Sequence, residues 1–253
     1  MQEHITYLYS DMDGTLLDSQ KNISPENKNA ILKFTRQGGH FAVATGRSPE
    51  IALPFLKEIP ITAPSIFYNG AGIYDMAAKK FLYKKFLPGN VLEHILRISI
   101  QEYPQVCIEA FAEGPIQLLN HDCIIDHYIT GENQPYIFSH YNPKESYMKF
   151  LLYAEPLALK KLSEKLAPVI KGHVAFTFSS PFYLEILPLS ASKGAALKWS
   201  CQNYHIDPRS VGAIGDFDND SEMLRFAGLG AAPRNGSPLA LNAADHIVSS
   251  NDE

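Results

Sequence analysis

The sequence is poor in the residues that build disulfide scaffolds and zinc sites. Its 253 residues include three cysteines, Cys107, Cys123 and Cys201, an odd number without a C-x-x-C pair. Disulfide scaffolds carry many cysteines in even numbers, and zinc sites use closely spaced pairs. The nine histidines show no H-x-x-x-H spacing. We therefore expect reduced thiols, a cytoplasmic location and no zinc.

Long runs of positive charge and of apolar residues are also missing. The 22 Lys and Arg residues are outnumbered by 27 Asp and Glu, which gives a formal net charge of −5. Basic clusters do not exceed Lys79-Lys80 and Lys84-Lys85. Nucleic acids and anionic membranes attract basic patches, so neither is an expected partner. The N-terminal residues include no basic stretch followed by a long apolar one, so we expect neither a signal peptide nor a spanning helix.

An apolar stretch near the N-terminus ends in two acids. The segment Tyr7-Leu8-Tyr9-Ser10 predicts a strand, and Asp11, Asp13 and Gly14 follow it directly. Ligands bind at the carboxyl ends of strands in an open α/β sheet, so these acids are placed for chemistry. Gly14 allows the chain to turn away, because glycine tolerates positive φ. An ordinary Asx-turn is the competing interpretation.

Strands and helices alternate in the first and last parts of the chain. Short apolar runs at 41–44, 65–68 and 211–214 predict strands, and each ends in polar or glycine residues. Helices are predicted after Ser24 and Ser48, each followed by proline, and after Ser192, because these residues favour helix starts. The alternation predicts an α/β domain with a Rossmann-like, mostly parallel sheet, formed by residues 1–83 and 188–253.

The middle of the chain has a different pattern. Strand-like runs cluster between residues 84 and 187, and residues 174–178 alternate large apolar with small or polar side chains. That alternation is typical of a strand with one buried face. Clustered strands with few helices predict an antiparallel sheet backed by helices on one side. We therefore expect an α+β domain inserted at 84–187, with a loop-rich segment at 117–147.

Several polar residues follow the predicted strands of the first domain and could share a cleft. They are Asp11, Asp13, Thr45, Asn69, Asp216, Asn219 and Asp220. Carboxylates gathered in one place raise each other's pKa unless a cation neutralises them. Because no Cys or His cluster accompanies them, this donor set favours a hard divalent ion, most simply Mg²⁺. The hydroxyl of Thr45 and the ammonium of Lys193 are groups that hold phosphoryl oxygens.

Four segments, taken in order, resemble the four motifs of the haloacid dehalogenase superfamily. Asp11-Met12-Asp13-Gly14-Thr15 is similar to motif I and Thr45-Gly46-Arg47 to motif II. Lys193 in Ser-Lys-Gly is similar to motif III, and Gly215-Asp216-x-x-Asn219-Asp220 to motif IV. The insertion between the second and third motifs resembles the cap domain of Cof-type phosphatases.

The resemblance implies the chemistry of the two acids in motif I. Asp11 would be the nucleophile that takes the phosphoryl group as an aspartyl-phosphate. Asp13 would protonate the leaving oxygen and then activate water. Dehalogenases lack the second acid, so Asp13 favours turnover of phosphate esters.

The resemblance also implies a metal site and a phosphate site. Asp11, Asp216 and the backbone carbonyl of Asp13 would bind Mg²⁺, with Asp220 beside or behind the ion. The residues implied to bind the phosphoryl group or the substrate are Thr45, Gly46, Arg47, Asn69, Lys193 and Asn219. Arg47 could instead bridge the sheet and the inserted domain, and Asn69-Gly70 is first of all a turn signal.

The expected function is hydrolysis of a small phosphorylated metabolite, such as a sugar phosphate, nucleotide or phosphorylated cofactor, by a monomer or weak homodimer. The inserted domain would close over the cleft and select the substrate. Two alternatives stay open. One is a phosphomutase or phosphotransferase that uses the same aspartyl-phosphate, and the other is a receiver-type signalling domain. Asp13 argues against the receiver, because a nearby acid–base group would shorten the lifetime of phospho-Asp.

Overall fold

The computed structural model of the protein describes residues 4–253, and the chain divides into two compact units. The first unit contains the chain up to Lys84 together with Ser192–Glu253, and the second contains Lys85–Ala191. Each unit has its own sheets and its own hydrophobic core. Within residues 4–253, no helix has both the length and the apolar character needed to cross a bilayer.

The strands and helices are numbered in chain order. The strands are β1 (Tyr7–Ser10), β2 (His40–Val43), β3 (Ser65–Phe67), β4 (Gly72–Asp75), β5 (Lys80–Lys84), β6 (Cys107–Phe111), β7 (Ile116–Leu118), β8 (Tyr136–Phe138), β9 (Lys149–Tyr153), β10 (Val174–Ser180), β11 (Tyr183–Pro188), β12 (Val211–Ile214), β13 (Leu229–Pro233) and β14 (His246–Val248). The helices are α1 (Pro25–Arg36), α2 (Pro49–Ala52), α3 (Gly89–Glu102), α4 (His127–Gly131), α5 (Pro156–Ile170), α6 (Lys193–Tyr204), α7 (Ser221–Phe226) and α8 (Pro238–Ala243).

The first unit is built on a five-stranded sheet of order β14-β13-β12-β1-β2. All of its neighbouring strands are parallel, which confirms the predicted α/β core. Parallel neighbours require a crossover, and the intervening helices provide it. Helix α1 begins where the Ser24 hydroxyl accepts the Asn27 N–H and Pro25 occupies the first turn.

The strand that precedes Asn69 is not a full member of this sheet. β3 is joined to the residue after β2 by one parallel bridge, Ala44–Ile66. It belongs instead to an antiparallel three-stranded sheet of order β3-β4-β5, in which it pairs with β4. The chain reverses after β3 because Tyr68, Asn69 and Gly70 all adopt positive φ. The expectation of a single sheet is therefore too simple for β3, although Asn69 stays next to Thr45, whose carbonyl accepts the Asn69 N–H at 3.0 Å.

The second unit contains a six-stranded sheet of order β10-β11-β9-β6-β7-β8. Its pairs are antiparallel except β7–β8, and α3 and α5 share one hydrophobic cluster with alternate residues of the central strands. This confirms the predicted α+β character. The segment 117–147, expected to be loop-rich, also contains α4 and β8. All three residues of β8 are exposed, so its sequence lacks the alternation that marks a half-buried strand.

Candidate active site

The centre of the candidate site is a buried lysine between two carboxylates. Helix α6 begins at Lys193 because the Ser192 hydroxyl accepts the Ala195 N–H at 3.0 Å. The Lys193 side chain is 1% exposed, and its Nζ lies 2.6 Å from Asp11 Oδ1 and 2.6 Å from Asp220 Oδ1. Lys193 thus joins segments that are far apart in the sequence.

A third carboxylate completes this cluster. Asp11 follows β1 and Asp216 follows β12, and these two strands are neighbours in the parallel sheet. Carboxylate oxygens of Asp11, Asp216 and Asp220 lie within 4.8 Å of one another. The convergence that the strand ends predict is therefore present for these three acids. Thr15, which the sequence did not single out, donates its hydroxyl to Asp216 Oδ1 at 2.7 Å.

Two glycines allow the acids to approach the backbone closely. A Cβ on Gly14, whose φ is +80°, would lie 2.5 Å from Asp216 Oδ2. A Cβ on Gly215 would lie 2.4 Å from Asp220 Cγ. Asp220 Oδ2 also accepts the backbone N–H groups of Asp216 and Phe217, each at 3.1 Å. Both oxygens of Asp220 are therefore engaged, which fixes the loop that carries Asp216.

The electrostatics of the cluster follow from burial and from like charges. Burial raises the pKa of Asp11 well above its usual range, with Lys193 opposing the shift and Asp220 and Asp216 adding to it. Burial likewise raises the pKa of Asp216. For Lys193, burial favours the neutral amine, but the carboxylates of Asp11 and Asp220 outweigh this effect and raise its pKa.

The residues of this cluster fit a divalent cation. Their donors are all carboxylate oxygens, the ligands that Mg²⁺ prefers. When all three acids are ionised, the single ammonium of Lys193 leaves two negative charges uncompensated, which one divalent ion would neutralise. The predicted acidic metal site is thus supported by the chemistry of the donors. The predicted fourth contributor, Asp13, would act through its backbone carbonyl.

The side chain of Asp13 has two cationic partners. Arg47 donates from Nε to Asp13 Oδ2 at 2.7 Å and from Nη2 to Oδ1 at 2.8 Å. Lys21 Nζ donates to Oδ1 at 2.6 Å. Burial acts to raise the pKa of Asp13, but Arg47 and Lys21 outweigh it and hold the pKa well below its usual range. For Arg47 the sequence left open a substrate contact and a bridge to the inserted domain. In the structure it contacts Asp13, and its guanidinium lies 4.7 Å from the Phe55 ring centroid.

The remaining candidate residues form a group of polar contacts. Asn219 Nδ2 donates to Asn69 Oδ1 at 3.0 Å. Two residues that were predicted from different segments as phosphate or substrate contacts are thus in direct contact with each other. Gly46 lies against the same amide, since a Cβ there would be 3.0 Å from Asn69 Nδ2. The Thr45 hydroxyl accepts the Arg47 N–H at 3.2 Å. Asn219 Oδ1 is buried and finds no hydrogen-bond donor within the described part of the chain.

Lys21, which contacts Asp13, is another residue that the sequence analysis did not identify. It lies in a polar turn after motif I, where a lysine is ordinary. Its approach to Asp13 depends on a left-handed backbone at Lys21, with φ of 64°, which no composition pattern reveals.

Comparisons with known proteins agree with this geometry. The sequence profile described as haloacid dehalogenase-like hydrolase matches residues 8–253. The 5-amino-6-(5-phospho-D-ribitylamino)uracil phosphatase YitU of Bacillus subtilis is 26% identical over 251 residues, covering 96% of this chain and 92% of that protein. The chloroplastic endoribonuclease YBEY of Arabidopsis thaliana is 28% identical over 269 residues, which cover 98% of this chain but 44% of that protein.

A solved structure gives the same result for the fold. The crystal structure of a haloacid dehalogenase-like hydrolase from Bacteroides thetaiotaomicron is similar with a TM-score of 0.86 at 25% identity. The similarity covers 98% of this chain and 95% of that one. With the motif residues gathered around Lys193 and the family profile matched from residue 8 to the last residue, the chain belongs to the haloacid dehalogenase-like hydrolase family.

Proposed function

We propose that the protein is a Mg²⁺-dependent phosphatase that hydrolyses a small phosphorylated metabolite through an aspartyl-phosphate. The observation that carries the proposal is the Lys193 ammonium, 2.6 Å from both Asp11 and Asp220, in a group that includes Asp216. Phosphoryl transfer places negative charge on the equatorial oxygens of the transferring group. A carboxylate nucleophile therefore needs fixed positive charge beside it, which Lys193 supplies.

In the first step, a carboxylate oxygen of Asp11 attacks the phosphorus atom. The new P–O bond to Asp11 forms as the P–O bond to the leaving alcohol breaks. Asp13 must first take up a proton, which Arg47 and Lys21 oppose, and it then gives this proton to the leaving oxygen. Lys193, Thr45 and Asn219 bind the phosphoryl oxygens. Asn219 Nδ2 donates one N–H to Asn69 Oδ1, which orients the amide, and its second N–H is the group that would donate to a phosphoryl oxygen.

In the second step, a water molecule attacks the phosphorus atom of the aspartyl-phosphate. Asp13 accepts a proton from this water, the P–O bond to Asp11 breaks, and inorganic phosphate leaves. The cations Arg47 and Lys21 favour the ionised form of Asp13, which is the form that this step requires. The carboxylate of Asp11 is regenerated.

Mg²⁺ would be held by Asp11, by Asp216 and by the backbone carbonyl of Asp13. When bound, it would supply positive charge against the developing negative charge of the phosphoryl group. Asp220 would stand behind this site. Its oxygens accept hydrogen bonds from Lys193 and from two backbone N–H groups. Asp220 would therefore hold in place the loop that carries Asp216.

We further propose that the inserted unit, Lys85–Ala191, selects among substrates. The name of the Bacillus subtilis relative specifies a phosphate ester on a ribityl chain attached to a uracil ring. A substrate panel should therefore contain that compound together with sugar phosphates, nucleotides and phosphorylated cofactors.

The test is release of free phosphate from this panel with Mg²⁺, for the wild type and for Asp11→Asn. We expect at least one substrate to be hydrolysed, and we expect Asp11→Asn to be inactive on it because an amide cannot attack phosphorus. Asp218→Asn is the matched control. Asp218 accepts a hydrogen bond from the Ser237 hydroxyl at 2.7 Å, which an asparagine oxygen can also accept, and full activity is expected.

Other results would point to the alternatives. Phosphate release by Asp11→Asn at the wild-type rate would contradict the proposal. Transfer of the phosphoryl group to a second hydroxyl, with little free phosphate, would indicate a phosphotransferase or phosphomutase. A long-lived phosphorylated protein without turnover would indicate a signalling domain.

A further inference from the structure

We propose that Lys21 is a positioning residue that, together with Arg47, fixes the orientation of the Asp13 carboxylate. The proposal rests on the proposed function, because the orientation of Asp13 matters for proton transfer to and from the reacting oxygens. Lys21 itself is assigned no contact with the substrate.

Three hydrogen bonds hold the carboxylate of Asp13. Arg47 donates to both oxygens, at 2.7 Å and 2.8 Å, and Lys21 adds a second donor to Oδ1 at 2.6 Å. Rotation of the carboxylate about its Cβ–Cγ bond would lengthen bonds to Arg47 and to Lys21 together. A proton-transfer group needs such fixed geometry, because a small misplacement of a reacting group slows the reaction strongly.

The turn that presents Lys21 is built around an unfavourable backbone conformation. Lys21 has a φ of 64°, a left-handed value that residues with a Cβ avoid. Asp18 stabilises the turn, because its Oδ1 accepts the N–H groups of Gln20 at 2.9 Å and Asn22 at 2.7 Å. Two backbone bonds, from Asp18 N to the Asn22 carbonyl and from Lys21 N to the Asp18 carbonyl, close it. Strained residues held by such networks occur often at functional sites.

Stability alone does not account for this arrangement. The side chains of Lys21 and Asp13 are 33% and 38% exposed, and ion pairs with that access to solvent add little to folding stability. The Lys21–Asp13 ion pair therefore contributes little to the stability of the folded state as a whole. The effect of the turn is local, since it places a cation within hydrogen-bonding distance of the group that we assign to proton transfer.

The test compares Lys21→Met, Lys21→Arg and the wild type on a substrate that the wild type hydrolyses. We expect Lys21→Met to lower kcat by about tenfold to a hundredfold, with KM changed less than about twofold, because proton transfer depends on alignment while phosphate binding does not use Lys21. Lys21→Arg should restore most of the lost rate, because arginine can donate to Asp13. Lys28→Met is the control. Lys28 is 31% exposed and pairs with Glu58, so it matches Lys21 in exposure and in ion pairing.

A second variant acts on the Asp13 carboxylate indirectly, through the turn that carries Lys21. Asp18→Ala removes the acceptor that holds the turn, so it should lower kcat in the same direction as Lys21→Met, by a smaller factor, without changing KM. Urea denaturation of each variant shows whether the fold is intact.

Three results would overturn the proposal. They are an unchanged kcat in Lys21→Met, a higher KM at unchanged kcat, and a loss of rate that Lys21→Arg does not restore. These outcomes are distinct from failure of the proposed function. In that case the wild type would release no phosphate from any substrate, or Asp11→Asn would remain active.

Discussion

Replacing Lys193 by methionine tests the electrostatic organisation of the site. The substitution keeps an unbranched side chain of similar length and removes only the ammonium. In the wild type this group lies 2.6 Å from the carboxylates of Asp11 and Asp220 and is almost inaccessible to water. In the variant, three carboxylates remain within 4.8 Å of one another without a cation.

The expected loss of stability is large for a single substitution. Removal of one partner from a buried ion pair typically costs about 3–5 kcal/mol, because the other charge stays buried without compensation. We expect this cost in the free energy of unfolding near neutral pH. It should shrink as the pH falls, because burial already raises the pKa of Asp11, and without Lys193 this carboxyl binds a proton still more readily in the folded state. Mg²⁺ should also reduce the cost, because the ion supplies the missing charge.

Urea denaturation at several pH values, with and without Mg²⁺, measures these effects. Lys198→Met is the matched control, because Lys198 lies on the same helix and is exposed. Its free energy of unfolding should change by no more than about 0.5 kcal/mol. If Lys193→Met cost no more than this control, or if its cost did not depend on pH, the ammonium would not compensate the buried acids and the reasoning would be refuted.

Three further predictions concern the same site. Gly215→Ala places a Cβ 2.4 Å from Asp220 Cγ, so urea denaturation should show a loss of about 1–3 kcal/mol, whereas Gly131→Ala, with open space around it, should cost at most about 0.5 kcal/mol. The pKa of Asp13 is below its usual value, so its contribution to stability is present above about pH 4 and is lost as the pH falls through the lowered pKa. The free energy of unfolding of Asp13→Asn should therefore depend less on pH in this acid range than that of the wild type, and parallel curves would contradict the assignment. Mg²⁺ at a hundred times its Kd should stabilise the wild type by about 2.7 kcal/mol in urea denaturation, and Asp216→Asn should lose most of this effect.

The sequence predicts the parts of the site that depend on strand ends and helix starts. Asp11 and Asp216 follow adjacent parallel strands, and the parallel arrangement brings them together. Ser192 is recognisable as an N-cap, which places Lys193 in the first helical turn. These features follow from local patterns of apolar and capping residues, which the sequence itself contains.

Other parts depend on backbone geometry that the sequence does not show. Lys21 reaches Asp13 through a left-handed residue, and Asn69 meets Asn219 because the chain reverses after β3 through three positive φ values. β8 escaped prediction because all its side chains are exposed, and no buried face imposes an alternating pattern. The positions of these residues depend on a turn or on an exposed strand at the edge of a sheet. Many different sequences are compatible with such turns and edge strands, so the sequence pattern does not reveal them.

The most direct test of the account is to locate the phosphoryl group on the protein during turnover. The enzyme is mixed with a phosphate ester that it hydrolyses, the reaction is stopped in acid within the first turnovers, and the peptides are analysed by mass spectrometry. We predict one added phosphoryl group on Asp11 in the wild type and none in Asp11→Asn. Phosphate release with the phosphoryl group on another residue, or with none bound to the protein at any time, would contradict the account.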